Sequence, residues 1–276
     1  MRKIKHIPAS THIIWFERVI FMSNTIIFTA GNTPALCTAK QVLYDLGITI
    51  AESPAPDVTH LLLPVPSFEA DGRIKGGGMI EHILADLPED ITVIGGLLQH
   101  PFLTGYKTID LLADPYYLAH NAAITADCAI RVAGAKLPRV FSGCPILIIG
   151  WGRIGKCLAN QLQAMGARVT VAARKEADRA MLRALGFCAE DLAKLGPGLI
   201  RYRVIFNTAP GPVLSMEQLQ FTQPDCLLID LASERGIDSK HVLWARGLPG
   251  KDAPESSGTL IAKSVIRLLA EKEVSA

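Results

Sequence analysis

The residues with the most specific chemistry are three glycines spaced as G-x-G-x-x-G, at 150, 152 and 155. They follow the apolar run 145–149, which predicts a buried strand, and they precede an amphipathic stretch that predicts a helix. In such a unit the glycines allow a tight turn, close approach of a pyrophosphate and close packing of the helix on the strand. The amides at the positive end of the helix dipole would bind the diphosphate. We therefore predict a dinucleotide site formed by Gly150, Gly152, Arg153, Ile154 and Gly155.

The end of the next predicted strand, 168–173, bears on which nucleotide is bound. An NAD-selective site has an acidic residue there to accept hydrogen bonds from the adenosine ribose, whereas this chain has Arg174 and Lys175. A guanidinium can bind a 2′-phosphate through two hydrogen bonds, and an ammonium adds a point charge. We predict NADP as the cofactor, with NAD as the alternative. The other interpretation is that both cations are solvated at the start of a helix.

Two later predicted strands also end in polar residues. Carboxyl ends of strands line the ligand crevice of a doubly wound sheet, so Asn207 and Thr208 are placed to contact a ribose or the nicotinamide. Ala209 and Pro210 continue the same segment and are predicted to border the cofactor. Ordinary turn chemistry ahead of the prolines is the alternative for Asn207 and Thr208. Asp230 could face the crevice or be a buried carboxylate bonded to backbone amides.

The elements that would position these residues alternate in type along the chain. Apolar runs and amphipathic stretches predict a strand at 25–30, a helix at 34–46 and strands at 60–63 and 91–95. The same alternation predicts, further on, strands at 145–149, 168–173, 203–207, 226–231 and 241–245 and helices at 154–165, 176–185 and 257–272. We predict an α/β protein with two doubly wound parallel-sheet domains, the second a Rossmann dinucleotide-binding domain.

Changes in composition along the chain suggest where the domains meet. Residues 1–21 contain basic residues but no clean apolar segment or cleavage site of a signal peptide. An Ala-rich helical stretch precedes Pro138 and the second alternation. The predicted parts are an N-terminal extension of doubtful role at 1–21, an α/β substrate-side domain at 22–120, a connecting helix at 121–137, the Rossmann domain at 138–255 and a C-terminal helix at 256–276 that packs back on the first domain.

Composition excludes several classes of function. The chain has 276 residues, with 28 Lys and Arg against 26 Asp and Glu, and a formal charge of +2 is too balanced for binding nucleic acid or a membrane surface. No apolar run approaches the roughly 18 to 20 residues of a membrane span. The six cysteines lack metal-site spacing, so we interpret them as reduced core thiols and predict no metal site. We expect a cytoplasmic homo-oligomer whose ligand is a small molecule.

From about residue 24 to 272 the chain resembles the A-type subunits of dipicolinate synthase, the enzyme family that makes pyridine-2,6-dicarboxylate in bacterial sporulation. It is more distantly similar to S-adenosylhomocysteine hydrolase and the D-2-hydroxyacid dehydrogenases. The family tends to carry Glu-Gly, His and Lys where this chain has Asp127-Cys128, Pro66 and Glu255, all on the expected substrate side. The resemblance is carried by the segments 121–127, 150–155 with 171–174, 206–210, and 230–233 with 247–250.

The resemblance implies NADP-dependent oxidation of a dihydro- or tetrahydrodipicolinate to the aromatic diacid, on a branch of the lysine and diaminopimelate pathway. It also implies a flavoprotein-like partner, the B-type subunit of dipicolinate synthase. A dicarboxylate substrate needs cationic or N–H anchors, and Arg131, Arg235 and Lys251 are the candidates by position. Asn121 and Thr125, four residues apart on one helix, could fix a carboxylate. His120 and Asp127, near the predicted domain junction, are the candidate catalytic residues for proton removal.

Two other functions fit the same residues. One is a binding module in which a dinucleotide reports redox state to a partner without chemistry. The other is an oxidoreductase like the D-2-hydroxyacid dehydrogenases, which would need a catalytic Arg past the fifth strand and a His after the last. Arg235 stands near the first place, but nothing from 246 to 276 supplies the second.

Overall fold

The computed structural model describes residues 24–274, so the predicted extension 1–21 lies outside the described residues. The chain divides into two compact units. The first contains the chain up to His120 together with the chain from Ala253 onward, and the second runs from Asn121 to Asp252. Each unit is built around one parallel sheet, which confirms the predicted α/β class with two parallel-sheet domains.

The sheet of the first unit has the strand order β2-β1-β3-β4-β5, which is one of the doubly wound orders. All neighbouring strands are parallel; Ile27 pairs with His60, and Leu61 with Val93. Buried apolar side chains from both faces of the sheet form the core. The strands are β1 (Ile26–Thr29), β2 (Thr49–Ala51), β3 (His60–Leu62), β4 (Thr92–Gly95) and β5 (Lys107–Asp110).

Two helices of this unit, α1 (Pro34–Asp45) and α2 (Ile80–Leu84), follow β1 and precede β4. Helix α1 starts at Pro34 because the Thr33 hydroxyl accepts a hydrogen bond from the Leu36 amide and proline needs no amide partner in the first turn. Short 3₁₀ turns occur at Pro101–Leu103 and Leu111–Ala113.

Helix α3 (Pro115–Lys136) runs from the first unit into the second. It begins six residues before the predicted start of the connecting helix at 121. The reason is a local cap, since the Asp114 carboxylate accepts a hydrogen bond from the Tyr117 amide at 2.9 Å and Pro115 fills the first turn.

The sheet of the second unit has the order β11-β10-β9-β6-β7-β8. Counted from the first strand of the unit, this is the Rossmann order, and the chain reverses its direction across the sheet between β6 and β9. Ligands of such sheets bind at the carboxyl ends of the strands at that reversal. The strands are β6 (Pro145–Ile149), β7 (Arg168–Ala173), β8 (Cys188–Asp191), β9 (Val204–Asn207), β10 (Leu227–Asp230) and β11 (Leu243–Trp244).

Helices connect the strands of the second unit and bury their apolar faces. Among the described residues, no helix has the length and apolar character needed to cross a membrane. The helices are α4 (Arg153–Ala164), α5 (Glu176–Ala184), α6 (Met216–Leu219) and α7 (Leu248–Asp252), with 3₁₀ turns at Leu192–Lys194 and Pro197–Arg201.

The C-terminal helix, α8 (Pro254–Val274), starts earlier than the predicted 256, and its first residues belong to the first unit. Pro254 suits a first helical turn because its missing amide would be unpaired there. Ser257 is buried within the helix. Helix α8 packs on α1, and a side chain at Gly258 would collide with the Ala35 carbonyl oxygen.

The six cysteines are free thiols, but they are not all in the core. Cys37 and Cys188 are exposed, so the prediction of core thiols is wrong for these two. Cys37 lies on the solvent side of α1. Cys188 is the first residue of β8, an edge strand that pairs with a neighbouring strand on one side only.

Candidate dinucleotide-binding site

The turn between β6 and α4 contains the three predicted glycines. Gly150 has a φ of +103°, a conformation that glycine adopts without steric cost. A Cβ at this position would lie 2.7 Å from the Thr208 hydroxyl oxygen, and one at Gly155 would collide with the Gly150 carbonyl oxygen. The tight turn and the close packing of helix on strand therefore require glycine at both positions.

Gly152 differs because the space next to it is open. It is exposed, and no atom of the described residues lies within 4 Å of a Cβ placed on it. It is also the N-cap of α4, and it has no side chain that could cap the helix. The Lys156 amide closes the first helical hydrogen bond, to the Gly152 carbonyl at 3.0 Å, so the amides before it have no helical partner. Unpaired amides at a helix N-terminus suit a diphosphate.

The residues beside this turn are partly exposed. Arg153 is exposed and Ile154 half-buried, so both are accessible at the start of α4. The half-buried Trp151 ring contacts Phe187, with the centroids 5.8 Å apart, and the Lys156 ammonium lies 5.7 Å from its centroid. The unpaired amides of the turn are thus flanked by the cations Arg153 and Lys156 and by the Trp151 ring.

At the end of β7, Arg174 and Lys175 are exposed, and Lys175 is the N-cap of α5. The nearby carboxylate, Glu176, is already paired with Arg179 and Arg183. Hydrogen bonds from Arg183 and Arg179 lower the pKa of the Glu176 carboxyl. Arg174 and Lys175 therefore keep their charges available for an anionic ligand.

Arg179 holds the backbone of the turn between β7 and α5. It is buried on the apolar face of α5. Its guanidinium donates to the carbonyl oxygens of Ala173 at 2.8 Å and Arg174 at 2.7 Å. It also pairs with Asp191 of β8 at 3.4 Å. Arg179 thereby fixes the segment that presents Arg174.

The structure corrects the prediction that the Asn207 side chain contacts the cofactor. Asn207 is completely buried, and its amide group donates to the Ala209 carbonyl oxygen and accepts from the Ala209 amide. The alternative of turn chemistry therefore holds for Asn207. The Thr208 hydroxyl donates to the Ile149 carbonyl oxygen at 3.0 Å and tethers β9 to β6. Ala209 is half-buried and Pro210 is exposed.

Of the two alternatives for Asp230, facing the crevice or being a buried carboxylate, the structure shows the second. Its two oxygens accept hydrogen bonds from the amides of Ala232, Gly236 and Ile237, and from the Asn207 side chain at 3.0 Å. These bonds compensate the loss of hydration of a buried charge. Asp230 organises the loop after β10 and has no exposed oxygen for a ligand.

Asn121 and Thr125 on α3 were predicted to fix a carboxylate together, but the Thr125 side chain is not available for this. Thr125 is buried, and its hydroxyl donates to the Asn121 carbonyl oxygen at 2.7 Å. The hydroxyl proton is used inside the helix, so the prediction that Thr125 fixes a carboxylate is wrong. Asn121 is half-buried.

Arg131 and Asp127 form an ion pair one helical turn apart on α3, at 3.4 Å. Arg131 also donates to the Asp252 carbonyl oxygen at 3.0 Å and to the Cys128 sulfur at 3.2 Å. Burial raises the pKa of the Cys128 thiol, so the sulfur stays protonated. Arg131 is thus committed to contacts within the second unit.

The remaining predicted substrate-side residues are exposed. His120 lies at the end of the first unit, with its ring centroid 4.4 Å from that of Tyr116. Lys251 is in α7 of the second unit. Arg235, in the loop after β10, lies over the Trp244 ring.

The chain is similar in sequence and fold to several known proteins. No protein-family model matches it. The A-type subunit of dipicolinate synthase from Bacillus subtilis (strain 168) is 26% identical over 242 residues, covering 80% of this chain and 81% of that protein. The crystal structure of the same type of subunit from Bacillus halodurans matches with a TM-score of 0.80 and 22% identity, over 90% of this chain and 99% of that one. Over most of its length, the chain is therefore similar to the A-type subunits of dipicolinate synthase.

The fold of the chain is also found in known dehydrogenases. L-alanine dehydrogenase matches it with a TM-score of 0.68 and 12% identity, over 93% of this chain and 83% of that one. The resemblance seen in the sequence is thereby confirmed, and with it the Rossmann-type fold.

Two features of the second unit are not predicted from the sequence. Arg179 falls on the same face of α5 as the buried Leu182, so helical spacing alone could have marked it as a buried charge. Arg246 follows Trp244 by two residues, and its guanidinium lies over the same ring as that of Arg235. No local pattern connects Arg235 with that pair.

Proposed function

We propose that the chain is the NADP-dependent A-type subunit of a dipicolinate synthase, which oxidises a dihydro- or tetrahydrodipicolinate to pyridine-2,6-dicarboxylate in spore formation. The observation that carries the proposal is the open, uncapped glycine turn of a Rossmann-ordered sheet in a homologue of that family. NADP⁺, when bound, accepts a hydride from the substrate ring. A tetrahydro substrate that carries a ring hydroxyl group loses water first, and aromatisation favours the product.

The glycine turn binds the diphosphate through its amides, with Arg153 and Ile154 beside it. This is supported by the open space at Gly152. Arg174 and Lys175 bind the 2′-phosphate, which is supported by their exposure and by the pairing of the nearby carboxylate with other arginines.

The segment after β9 borders the same turn. A Cβ at Gly150 would lie 3.2 Å from the Ala209 amide nitrogen, which supports the proposal that Thr208, Ala209 and Pro210 border the cofactor. Because the Thr208 hydroxyl is already bonded to β6, this segment is held in place before the cofactor binds. Its contribution is to position the nucleotide.

The chain's own residues must bind the carboxylates and remove one proton. Arg235 and Lys251 supply positive charge to the carboxylate end of the site, and Asn121 donates from its side-chain amide; all three have accessible surface. His120 and Asp127 are the proposed proton acceptors, and both are exposed. Arg131 contributes by pairing with Asp127, which holds the Asp127 side chain in place.

The Bacillus subtilis relative is one of the subunits of a synthase, which supports a partner for this chain. The proposed partner is a flavoprotein-like B-type subunit of dipicolinate synthase that works with a homo-oligomer of this chain in the cytoplasm.

The test is reconstitution of the reaction. The full chain is purified with and without the product of the neighbouring gene, and a condensing enzyme supplies the cyclic substrate from aspartate semialdehyde and pyruvate. With NADP⁺, we expect NADPH absorbance to rise together with the ultraviolet absorbance of pyridine-2,6-dicarboxylate. NADP⁺ binding without either signal would favour a redox sensor, and reduction of 2-oxo acids would favour a hydroxyacid dehydrogenase; either result would overturn the proposal.

A further inference from the structure

Two arginines and one tryptophan form a cluster in the second unit, called here the Trp244 cluster. The guanidinium carbons of Arg235 and Arg246 lie 5.3 Å and 5.1 Å from the centroid of the Trp244 ring. Both distances are within the range of cation–π attraction. The indole is itself fixed, because its Nε1 donates to the Ala232 carbonyl oxygen at 3.1 Å. Two cations are thus held over one ring that cannot turn freely.

Within the described residues, neither guanidinium of the cluster forms an ion pair with a carboxylate, although Glu234 and Asp238 are close in sequence. Like charges held close together repel each other, and a bound anion relieves that repulsion. Stacking on an aromatic ring uses the flat face of a guanidinium and leaves the in-plane N–H donors free for a carboxylate.

The cluster lies where a substrate is expected in a sheet of this order. Trp244 ends β11, and Arg235 follows β10, on the far side of the β6 turn from Arg174. A dinucleotide lies across the reversal point of such a sheet, so its adenosine end at β7 puts the nicotinamide end toward β9 and β10. Of the three cluster residues, Arg235 alone also lines a cavity of about 440 Å³, with Ser215, Gln218 and Asp238, which is large enough for a small organic acid.

We propose that the Trp244 cluster binds the two carboxylates of a small dicarboxylate, with Arg235 and Arg246 each pairing with one of them. This proposal deepens the proposed function and rests on it for the identity of the substrate. It adds Arg246 as a binding residue and Trp244 as the residue that positions both guanidiniums. The cluster determines the preference for a diacid over a monoacid, because a monoacid leaves one guanidinium unpaired.

The test measures binding of pyridine-2,6-dicarboxylate and of pyridine-2-carboxylate to the full chain saturated with NADP⁺, by calorimetry and by quenching of Trp244 fluorescence. Trp244→Phe identifies the fluorescence signal. We expect Arg235→Gln and Arg246→Gln each to weaken diacid binding by about tenfold or more, the effect of losing a hydrogen bond to a charged group. Monoacid binding should change less, so the preference for the diacid falls. Arg139→Gln, an exposed arginine of the same unit, has the same change of charge and should bind as the parent chain does.

Equal affinity for diacid and monoacid in the parent chain, or parent-like diacid binding in both variants, would overturn the proposal. Loss of NADP⁺ binding in either variant would also overturn it, because the cluster would then belong to the cofactor site. Failure of the Trp244 cluster as a diacid site and failure of the proposed dipicolinate synthase function give different results. Dipicolinate synthesis with an unchanged KM in both variants contradicts the cluster alone, whereas selective diacid binding supports the cluster even if synthesis is not observed.

Discussion

The first strand of each sheet ends in a glycine turn, but the two turns are completed differently. Gly31 after β1 and Gly150 after β6 have similar φ values, +108° and +103°. In the first unit the chain itself covers the turn, since a Cβ on Gly31 would lie 2.7 Å from the Lys75 carbonyl oxygen. The Thr33 hydroxyl caps α1 at 3.3 Å.

The second unit leaves the corresponding place open. Gly152 stands at the N-cap of α4 and has free space where Thr33 of the first unit supplies a hydroxyl. A helix capped by its own chain gains stability, whereas an uncapped one leaves its amides to a ligand. The comparison teaches that the same strand–turn–helix unit is a structural joint in one domain and a candidate binding site in the other.

The largest effect is expected for Gly155→Ala, which would break the open turn. The new methyl group would collide with the Gly150 carbonyl oxygen and push α4 away from β6. We expect a loss of about 3 kcal/mol in the free energy of unfolding of the second unit, the upper range for overpacking, measured by urea unfolding. The matched control is Gly134→Ala within α3, where the Cβ would lie 3.5 Å from the Phe141 ring and alanine favours the helix. Equal stability of both variants would contradict the steric account of the turn.

Arg174→Ala should change nucleotide selectivity without loss of stability. If its guanidinium binds the 2′-phosphate, the ratio of NADP⁺ to NAD⁺ affinity falls by roughly tenfold to a hundredfold, the effect of a charge-assisted contact. Calorimetric titration with both nucleotides measures the ratio, and Arg139→Ala serves as the exposed-arginine control. An unchanged ratio in Arg174→Ala would remove Arg174 from the cofactor site.

The smallest effect is expected at the closed turn of the first unit. Thr33→Ala removes the cap of α1, so the unfolding free energy should fall by about 1 kcal/mol. NADP⁺ affinity should stay the same, because this turn is occupied by its own chain. A change in NADP⁺ affinity larger than the change in stability would contradict the division of roles between the two turns.

The buried strands could be predicted from the sequence, and three of the four edge strands could not. Strands β6 and β7 match the predicted 145–149 and 168–173 because each is a nearly continuous buried run. Strands β2, β5 and β8 lie at sheet edges and are largely exposed or half-buried, so they carry no continuous apolar signal. Pairing with a neighbour fixes these strands, and that neighbour is distant in sequence.

In the candidate site too, local sequence patterns predict some features and miss those that depend on residues distant in sequence. The three glycines could be predicted because their roles depend on the turn that contains them. The burial of Asn207 depends on Asp230, 23 residues away, and their hydrogen bond exists only because β9 and β10 are neighbours in the sheet. The contact of Arg235 with Trp244 likewise depends on the pairing of β10 with β11.

Calorimetric titration of NADP⁺ into the parent chain and into Gly152→Ala tests whether the diphosphate lies on the β6–α4 turn. Gly152 has a φ of −79° and open space beside it, so alanine should leave the fold and the unfolding transition unchanged. A methyl group at the place of the diphosphate should weaken binding by about tenfold or more. Gly78→Ala, with equally open space in the first unit, should bind as the parent chain does. Parent-like affinity in Gly152→Ala would contradict the claim that the diphosphate lies on this turn.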